Sequence, residues 1–241
     1  MRIVRHIMGL PISLEFRGDA RQAEPAFSWL TEADRRFSPF HPDSEVSRFE
    51  PDGKHSADLR DILALCATYE RLTGGAFRAT LPGRAFDPSG VVKGWAAQRA
   101  ADLLRANGVR KFCLNAGGDV VAAGRSWSVG IRHPDLPHEL CAVLAVRKLA
   151  VATSGSYERG EHVVDGRTGQ PTRDLVSLTV VARNLTVADA TSTAAFAMGT
   201  PGIAWAAARP GCLVHAVDAH RRVYRSPGLD RLLVPSGTMA S

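Results

Sequence analysis

An acidic residue and a hydroxyl residue four positions apart form one pair in this chain that could do chemistry. Asp189 and Thr193 lie in the small-residue segment VADATSTAAF. On a helix, this spacing places both side chains on one face, one turn apart. Their oxygens suit a hard cation such as magnesium, provided that a carbonyl or a phosphate completes the set. The helix dipole also explains an acid in a first turn, and spacing alone favours that simpler interpretation.

Three other segments combine polar residues with glycines. In FDPSGVVKGWA, Lys93 precedes a glycine at a predicted helix start, where backbone N–H groups attract anions, although a surface lysine at a helix cap is the alternative. In NAGGDVVAAG, Gly117 and Gly118 allow either close approach to a ligand or a tight hairpin. In SGSYERGEHVVDGRTG, His162 precedes an exposed turn, where a histidine is more often structural than catalytic.

Composition excludes several classes of protein. The 241 residues are 45% hydrophobic and 22% charged, which is typical of a globular protein. The net charge of +6 is scattered without a run of five like charges, so we predict no nucleic-acid partner. The usual glycine-rich phosphate motifs are absent, and no C-x-x-C pair suggests zinc or redox chemistry. Without a recognisable signal peptide or an apolar stretch of membrane-spanning length, we expect a cytoplasmic protein with no membrane insertion.

Hydrophobic patterning predicts the elements that position these groups. Helices are predicted at 20–37, at a short segment capped by Ser44, after Ser56 as far as Leu72, and at 94–107, 187–199 and 201–208. Strands are predicted within 2–17 and at 110–115, 120–123, 127–132, 140–146, 149–153, 162–164, 175–183, 212–218 and 222–225. Helices that bracket a block of hairpins indicate an α+β fold, and no linker divides residues 1–241, so we predict a single compact unit.

Taken in order, the segments resemble those of the ApbE family of FAD:protein FMN transferases. The similarity is carried by IMGLPISLEF, FSPFHPDSEVSRF, TGGAF, DPSGVVKGWAA, NAGGDVVAAG, WSVGIRHP, ATSGSYER, HVVDGRTG, VSLTVVA and ADATSTAAFAMG. No single motif is decisive, but their number and order are specific, and they cover nearly the whole chain. The resemblance implies a T-fold-related architecture, in which helices flank an antiparallel β-sheet core.

The resemblance also implies an activity and a set of site residues. Members transfer FMN from FAD to a Thr or Ser hydroxyl of an acceptor protein, with magnesium, and release AMP. By position, the metal ligands are Asp189, Thr193 and the carbonyl of Gly90. The implied FAD-binding residues are Met8, Phe40, Ala76, Phe77, Arg78, Asp87, Lys93, Gly117, Gly118, Ser154 and His162. Lys93 would add positive charge near the pyrophosphate, and His162 is the candidate base for the incoming hydroxyl.

The acceptor and the exact reaction remain open from sequence. The chain has no D-x-x-[ST]-G-A-[ST] motif of its own, so the acceptor that carries it should be another chain or domain. Arg78 and Gln98 stand where the family commonly has aspartate, DGRTG replaces D-P-x-T-G, and the spacer between Phe77 and Asp87 is short. Two alternatives therefore stand beside FMN transfer: an FAD pyrophosphatase that gives FMN and AMP, and a non-catalytic flavin-binding protein.

Overall fold

A computed structural model describes residues 1–136, 138–156 and 163–235 of the chain, and its centre is a large antiparallel sheet. The strands are β1 Arg2–Ile7, β2 Leu10–Phe16, β3 Phe112–Ala116, β4 Asp119–Ala123, β5 Trp127–Arg132, β6 Leu140–Val146, β7 Ala150–Gly155, β8 Val164–Asp165, β9 Gln170–Pro171, β10 Leu175–Ala182, β11 Leu213–Asp218 and β12 Val223–Arg225. Eight of them form one sheet in the order β1-β2-β3-β4-β7-β10-β11-β12, and every neighbouring pair is antiparallel. β5 pairs with β6, and β8 with β9, as separate hairpins.

Five α-helices lie within the described residues, and they pack on one face of the sheet. They are α1 Glu24–Phe37, α2 Ala57–Leu72, α3 Ser89–Ala106, α4 Leu185–Ala197 and α5 Thr200–Ala207. The helices share one hydrophobic core with the sheet residues that face them. In the described part of the chain, none of these helices is long and apolar enough to cross a membrane.

Strand β4 shows that the centre of the sheet is covered on both faces. Val121 and Ala123 belong to the core beneath the helices, whereas Val120 and Ala122 belong to a second core beneath the β5–β6 hairpin. Because successive side chains of a strand point to opposite faces, a strand covered on both sides is apolar throughout. Asp119, at the start of β4, is the buried exception.

The predicted α+β architecture with an antiparallel sheet is confirmed, and the differences from the predicted elements are local. Helix α3 begins at Ser89 instead of Gly94, because Asp87 accepts the N–H of Ser89 and starts the helix earlier. The segment at Ser44 is a turn rather than a helix, in which the Ser44 hydroxyl accepts the N–H of Ser47. The four cysteines are free. The predicted strand at 162–164 begins outside the described residues, which place β8 at 164–165.

Candidate functional site

A cavity of about 1030 Å³ opens beside helices α3 and α4, and most of the predicted site residues line it. Its volume is at the upper end of the roughly 300–1,000 Å³ typical of small-molecule sites. The predicted residues that line it are Met8, Phe40, Phe77, Arg78, Asp87, Gly90, Lys93, Gly117, Ser154, Asp189 and Thr193. Segments far apart in sequence therefore meet at one concave surface.

Close packing of α3 against α4 brings the predicted metal ligands together. A Cβ on Gly94 would lie 2.4 Å from Cβ of Asp189, and a Cβ on Gly90 would lie 3.1 Å from Cγ2 of Thr193. Gly90 and Gly94 are one helical turn apart, as are Asp189 and Thr193, so the two pairs face each other across antiparallel helices. Glycine is required at Gly94 because any side chain would overlap Asp189.

Asp189 lies in the second turn of α4, so the simpler interpretation, an acid in a first turn, does not hold. The helix begins at Leu185, and Asn184 is its N-cap, accepting the N–H of Val187. The Asp189 side chain is buried, and its Oδ2 accepts the N–H of Gly94 at 2.7 Å. Burial raises the pKa of the Asp189 carboxyl, and the neighbouring Asp119 carboxylate raises it further.

Asp119 is a site residue that sequence reasoning missed. It is 1% exposed, its Oδ2 lies 2.8 Å from Nζ of Lys93, and its Oδ1 accepts the N–H of Thr153 at 3.2 Å. Lys93 is therefore not a surface lysine at a helix cap: its ammonium is held at the cavity by a buried carboxylate. One signal was available, since Asp119 follows two glycines and opens an otherwise apolar strand.

Hydroxyl groups complete the polar side of the site. The Ser154 hydroxyl lies 3.0 Å from that of Ser192 and 3.3 Å from that of Thr193. Ser192 also donates to the backbone carbonyl of Asp189 at 3.0 Å. Ser154 and Thr193 reach the cavity from β7 and α4, so a strand and a helix present hydroxyl oxygens at the same place.

The donor set fits a hard divalent cation. The Asp189 carboxylate and the Thr193 hydroxyl are oxygen ligands of the type that magnesium takes. In a regular α-helix the N–H of Gly94 would donate to the carbonyl of Gly90, four residues earlier. Here this N–H donates to Asp189, so the carbonyl of Gly90 keeps an acceptor site for another partner. Among the described residues of this cluster, two carboxylates, Asp189 and Asp119, face one ammonium, and a cation would offset the excess negative charge.

The side chains of this cluster do not by themselves complete the ligand set of a metal ion. Residues 1–136, 138–156 and 163–235 contain no group of three or more His, Cys, Asp or Glu side chains that could hold a metal ion. A cation bound at Asp189 would therefore depend on hydroxyl and carbonyl oxygens, on water and on oxygens of the ligand. Magnesium is commonly bound in this way beside substrate phosphates.

Turns and a loop bring the remaining lining residues to the cavity. Met8 and Gly9 form the two-residue turn between β1 and β2, with φ of 58° and 67°. A positive φ is unfavourable for methionine, and the bond from its N–H to Asp34 Oδ2, at 2.9 Å, holds this conformation. Gly117, with φ of 59°, lies in the β3–β4 turn, and Phe40, 88% exposed, lies in the loop after α1.

Three predicted residues are not among those that line the cavity. Ala76 is buried beside Phe77, and its carbonyl accepts the N–H of Gly166. Gly118 is exposed in its turn, where its N–H bonds the side chain of Asn115. His162, the candidate base, lies outside the described residues.

Gln98, one of the departures from the family pattern, has a structural role on α3. Its Oε1 accepts the N–H of Leu185 at 2.8 Å, at the first residue of α4, and its Nε2 donates to Asp102. The first N–H groups of a helix lack partners within the helix. A neutral amide oxygen satisfies one of them here, and it ties α3 to the start of the helix that carries Asp189.

Comparisons with known proteins show the family to which the chain is similar. The model of the ApbE family matches residues 8–83 and 80–215. An FAD:protein FMN transferase of Klebsiella pneumoniae (strain 342) is 32% identical over 157 residues, which are 60% of this chain and 49% of that protein. One from Escherichia coli (strain K12) is 31% identical over 172 residues, 64% of this chain and 49% of that protein. The chain spans about half the length of these curated relatives.

Solved structures show the same fold over almost their full length. The flavin transferase ApbE from Vibrio cholerae has a TM-score of 0.84 at 21% identity, covering 97% of this chain and 99% of that one. The ApbE protein of Thermotoga maritima has a TM-score of 0.84 at 22% identity, covering 96% of this chain and 98% of that one. At these identities the structural similarity establishes the fold alone.

Proposed function

This chain belongs to the ApbE family, and on that premise we propose that it transfers FMN from FAD to a Thr or Ser hydroxyl of an acceptor protein, releasing AMP. The observation that carries the proposal is the meeting of eleven predicted site residues, from distant segments, around one cavity of about 1030 Å³. The names of the relatives, all FAD:protein FMN transferases, point to the same reaction. We propose magnesium as the metal.

The reaction has two electrostatic requirements that this site can meet. The acceptor hydroxyl attacks the FMN phosphorus of FAD, the bond to the AMP phosphate breaks, and the hydroxyl proton passes to a base. Such a transfer needs charge neutralisation at the phosphoryl oxygens and an in-line nucleophile. Magnesium held by Asp189, Thr193 and the Gly90 carbonyl would supply Lewis-acid stabilisation when bound.

The chain's own groups supply the remaining functions. Lys93, held by Asp119, presents a fixed positive charge to the diphosphate. Met8 and Phe40 offer an apolar and an aromatic surface to the flavin ring system, and the glycine at Gly117 lets the ligand approach the backbone. His162 stays our candidate base for the hydroxyl proton, as a prediction from the sequence.

The partner in this proposal is another polypeptide. We propose an acceptor flavoprotein with a D-x-x-[ST]-G-A-[ST] motif, whose hydroxyl would enter the cavity beside FAD. We propose no nucleic-acid partner, because the positive charge of the chain is scattered. The cytoplasmic location stays a prediction from the sequence.

The test is incubation with FAD, magnesium and an acceptor that carries the motif. We expect the acceptor to gain the mass of one FMN in phosphoester linkage, with one AMP released per acceptor labelled. The matched control is the same acceptor with its target Thr replaced by Val, which should gain no mass. Free FMN and AMP without acceptor would indicate an FAD pyrophosphatase instead, and FAD that binds but stays intact would indicate a non-catalytic flavin-binding protein.

A further inference from the structure

The turn at residues 165–169 packs directly on the segment that follows α2. The N–H of Gly166 donates to the carbonyl of Ala76 at 2.8 Å. A Cβ on Gly166 would lie 2.6 Å from the carbonyl oxygen of Gly75 and 2.8 Å from Cγ of Arg78. Only a glycine fits between these two groups, so the side chain of Arg78 and the backbone of Gly166 occupy adjoining space.

Glu70 holds the other end of the Arg78 side chain. Nε of Arg78 lies 3.3 Å from Oε1 of Glu70, which is on α2 and does not line the cavity. The guanidinium also lies over Gly75, where a Cβ would be 3.1 Å from Nη2 of Arg78. The aliphatic part of Arg78 therefore covers Gly166, while its charged end is held on the side of α2.

This contact bears on the wall of the cavity. The turn is closed by the N–H of Gly169, which donates to the carbonyl of Asp165 at 2.8 Å, and by an ion pair between Arg167 and Asp165. Val163 and Val164, which lead into the turn, line the cavity. Because the turn is closed, its contact at Gly166 also fixes the position of the adjoining strand. The contact at Gly166 therefore sets the position of the cavity wall that Val163 and Val164 form.

We propose that Arg78 is a positioning residue, which acts through Glu70 and Gly166 to hold the 163–169 segment as a wall of the cavity. Two departures from the family pattern, Arg78 for aspartate and Gly166 for proline, then form one paired change. Proline at Gly166 would have no N–H to donate to Ala76, and its ring would overlap the Arg78 side chain. Insofar as the ligand is FAD, the inference rests on the proposed function.

The decisive variant is Glu70→Ala, because a positioning role and a direct ligand role predict different results for it. If Arg78 acts through the turn, loss of Glu70 frees its charged end. The Gly166 amide then exchanges its hydrogen faster, and FAD binds a few-fold more weakly. If Arg78 instead binds a phosphate of FAD, loss of its competing carboxylate leaves Gly166 exchange unchanged and leaves FAD affinity equal or higher. That second result would overturn the proposal.

Two substitutions of Arg78 itself complete the experiment. Arg78→Met keeps the aliphatic cover on Gly166 and should change exchange and FAD affinity less than Arg78→Ala does. Equal loss of FAD affinity in both, with Gly166 exchange as in the parent protein, would also contradict the proposal. Arg71→Ala removes an exposed arginine near the end of α2 and should change neither measurement.

The two measurements separate failure of this proposal from failure of the proposed function. Amide exchange at Gly166, followed by NMR in the protein without ligand, needs no FAD. If the parent protein bound no FAD, the proposed function would fail, and the exchange rates of Glu70→Ala and Arg78→Met would still decide whether Arg78 holds the turn.

Discussion

Asp189 and Asp119 place two carboxylates in a region from which water is almost excluded. Their relative exposures are 4% and 1%, and Lys93 is the cation paired with Asp119. Burial and a like charge both disfavour ionisation, and the pKa of Asp189 is raised for these two reasons. A site that costs stability without a cation is suited to bind one.

The substitution Asp189→Asn tests this balance. The asparagine oxygen can still accept the N–H of Gly94, and its NH₂ can donate to Asp119, while one negative charge is removed. We expect a higher thermal midpoint than in the parent protein without metal, and no further increase on adding magnesium. The parent protein should gain stability with magnesium, because a ligand that binds only the folded state stabilises it. Thermal unfolding with and without magnesium measures both effects.

A matched control for Asp189→Asn lies on the same helix. Val187 is 40% exposed, and Val187→Ala should leave the magnesium-dependent increase in place. If Asp189→Asn responded to magnesium as the parent protein does, the metal would lie elsewhere. In the transfer reaction, we expect Asp189→Asn to lose AMP release and Val187→Ala to retain it.

The sequence predicted relations between residues that are close along the chain, and it did not predict contacts between residues that are far apart along the chain. Asp189 and Thr193 could be placed on one face because a helix fixes their relation at i and i+4, and the family resemblance then implied that they bind the metal. Asp119 could not be paired with Lys93 from the sequence, because the two residues are 26 positions apart. Only the folded chain brings their side chains into contact. The bond from Leu185 to Gln98 spans 87 positions and was missed for the same reason.

At the scale of elements, the crossing of α3 and α4 decides the shape of the site. Gly94 faces Asp189, and a Cβ there would also lie 2.9 Å from the carbonyl oxygen of Leu185. A Cβ on Gly90 would lie 2.9 Å from the ring edge of Phe77 and 3.1 Å from the methyl of Thr193. A backbone carbonyl cannot move aside as a flexible side chain can. A side chain should therefore be tolerated better at Gly90 than at Gly94.

We expect Gly94→Ala to destabilise the protein more than Gly90→Ala does. The first forces backbone apart, and overpacking of this kind costs about 1–3 kcal/mol of unfolding free energy. The second displaces only a ring edge and a methyl group, and alanine's higher helix propensity offsets part of its cost. Denaturant unfolding of both variants gives the order. Equal stability of Gly94→Ala and the parent protein would mean that the helices are not in close contact at Asp189.

Periodicity predicted most elements because each is buried on one face or on both. The strands at 127–132 and 140–146 have their predicted bounds, since the first alternates regularly between buried and exposed residues and the second is a short apolar run. The start of α3 and the turn at Ser44 were predicted wrongly, because each depends on a backbone N–H bond that a single side chain, Asp87 or Ser44, accepts. The strand order was not predicted, because hydrophobic patterning does not say which strands become neighbours.

At the scale of the whole molecule, the sheet separates the candidate site from a second core. β5 and β6 cover the face opposite the helices, and their residues pack with Val120, Val151 and Val181. His215 on β11 lies on this second face, since it shares the strand side of Leu213, which packs there. Its side chain is fully buried, and neither ring nitrogen has a hydrogen-bond partner among the described residues.

His215 should make the stability of the whole fold depend on pH without touching the site. Burial lowers the pKa of its imidazole to about 4, with a contribution from Arg225, while an unfolded histidine titrates near 6.5. As pH falls, the unfolded chain therefore binds the proton before the folded chain does. The contribution of His215 to the unfolding free energy is complete above pH 6.5, and it is lost as pH drops towards 4, by about 3 kcal/mol. Denaturant unfolding across this range measures the slope.

His215→Leu should remove this component of the slope, because leucine has a similar volume and no proton to bind. Asp218, whose pKa is lowered by hydrogen bonds to its carboxylate, adds its own loss of stability at acid pH in the parent protein and the variant alike. The difference between the two therefore isolates His215. His6→Leu, which changes an exposed histidine on β1, should keep the full slope. An unchanged slope in His215→Leu would show that the second core admits a charged imidazole, and hence water, behind the sheet.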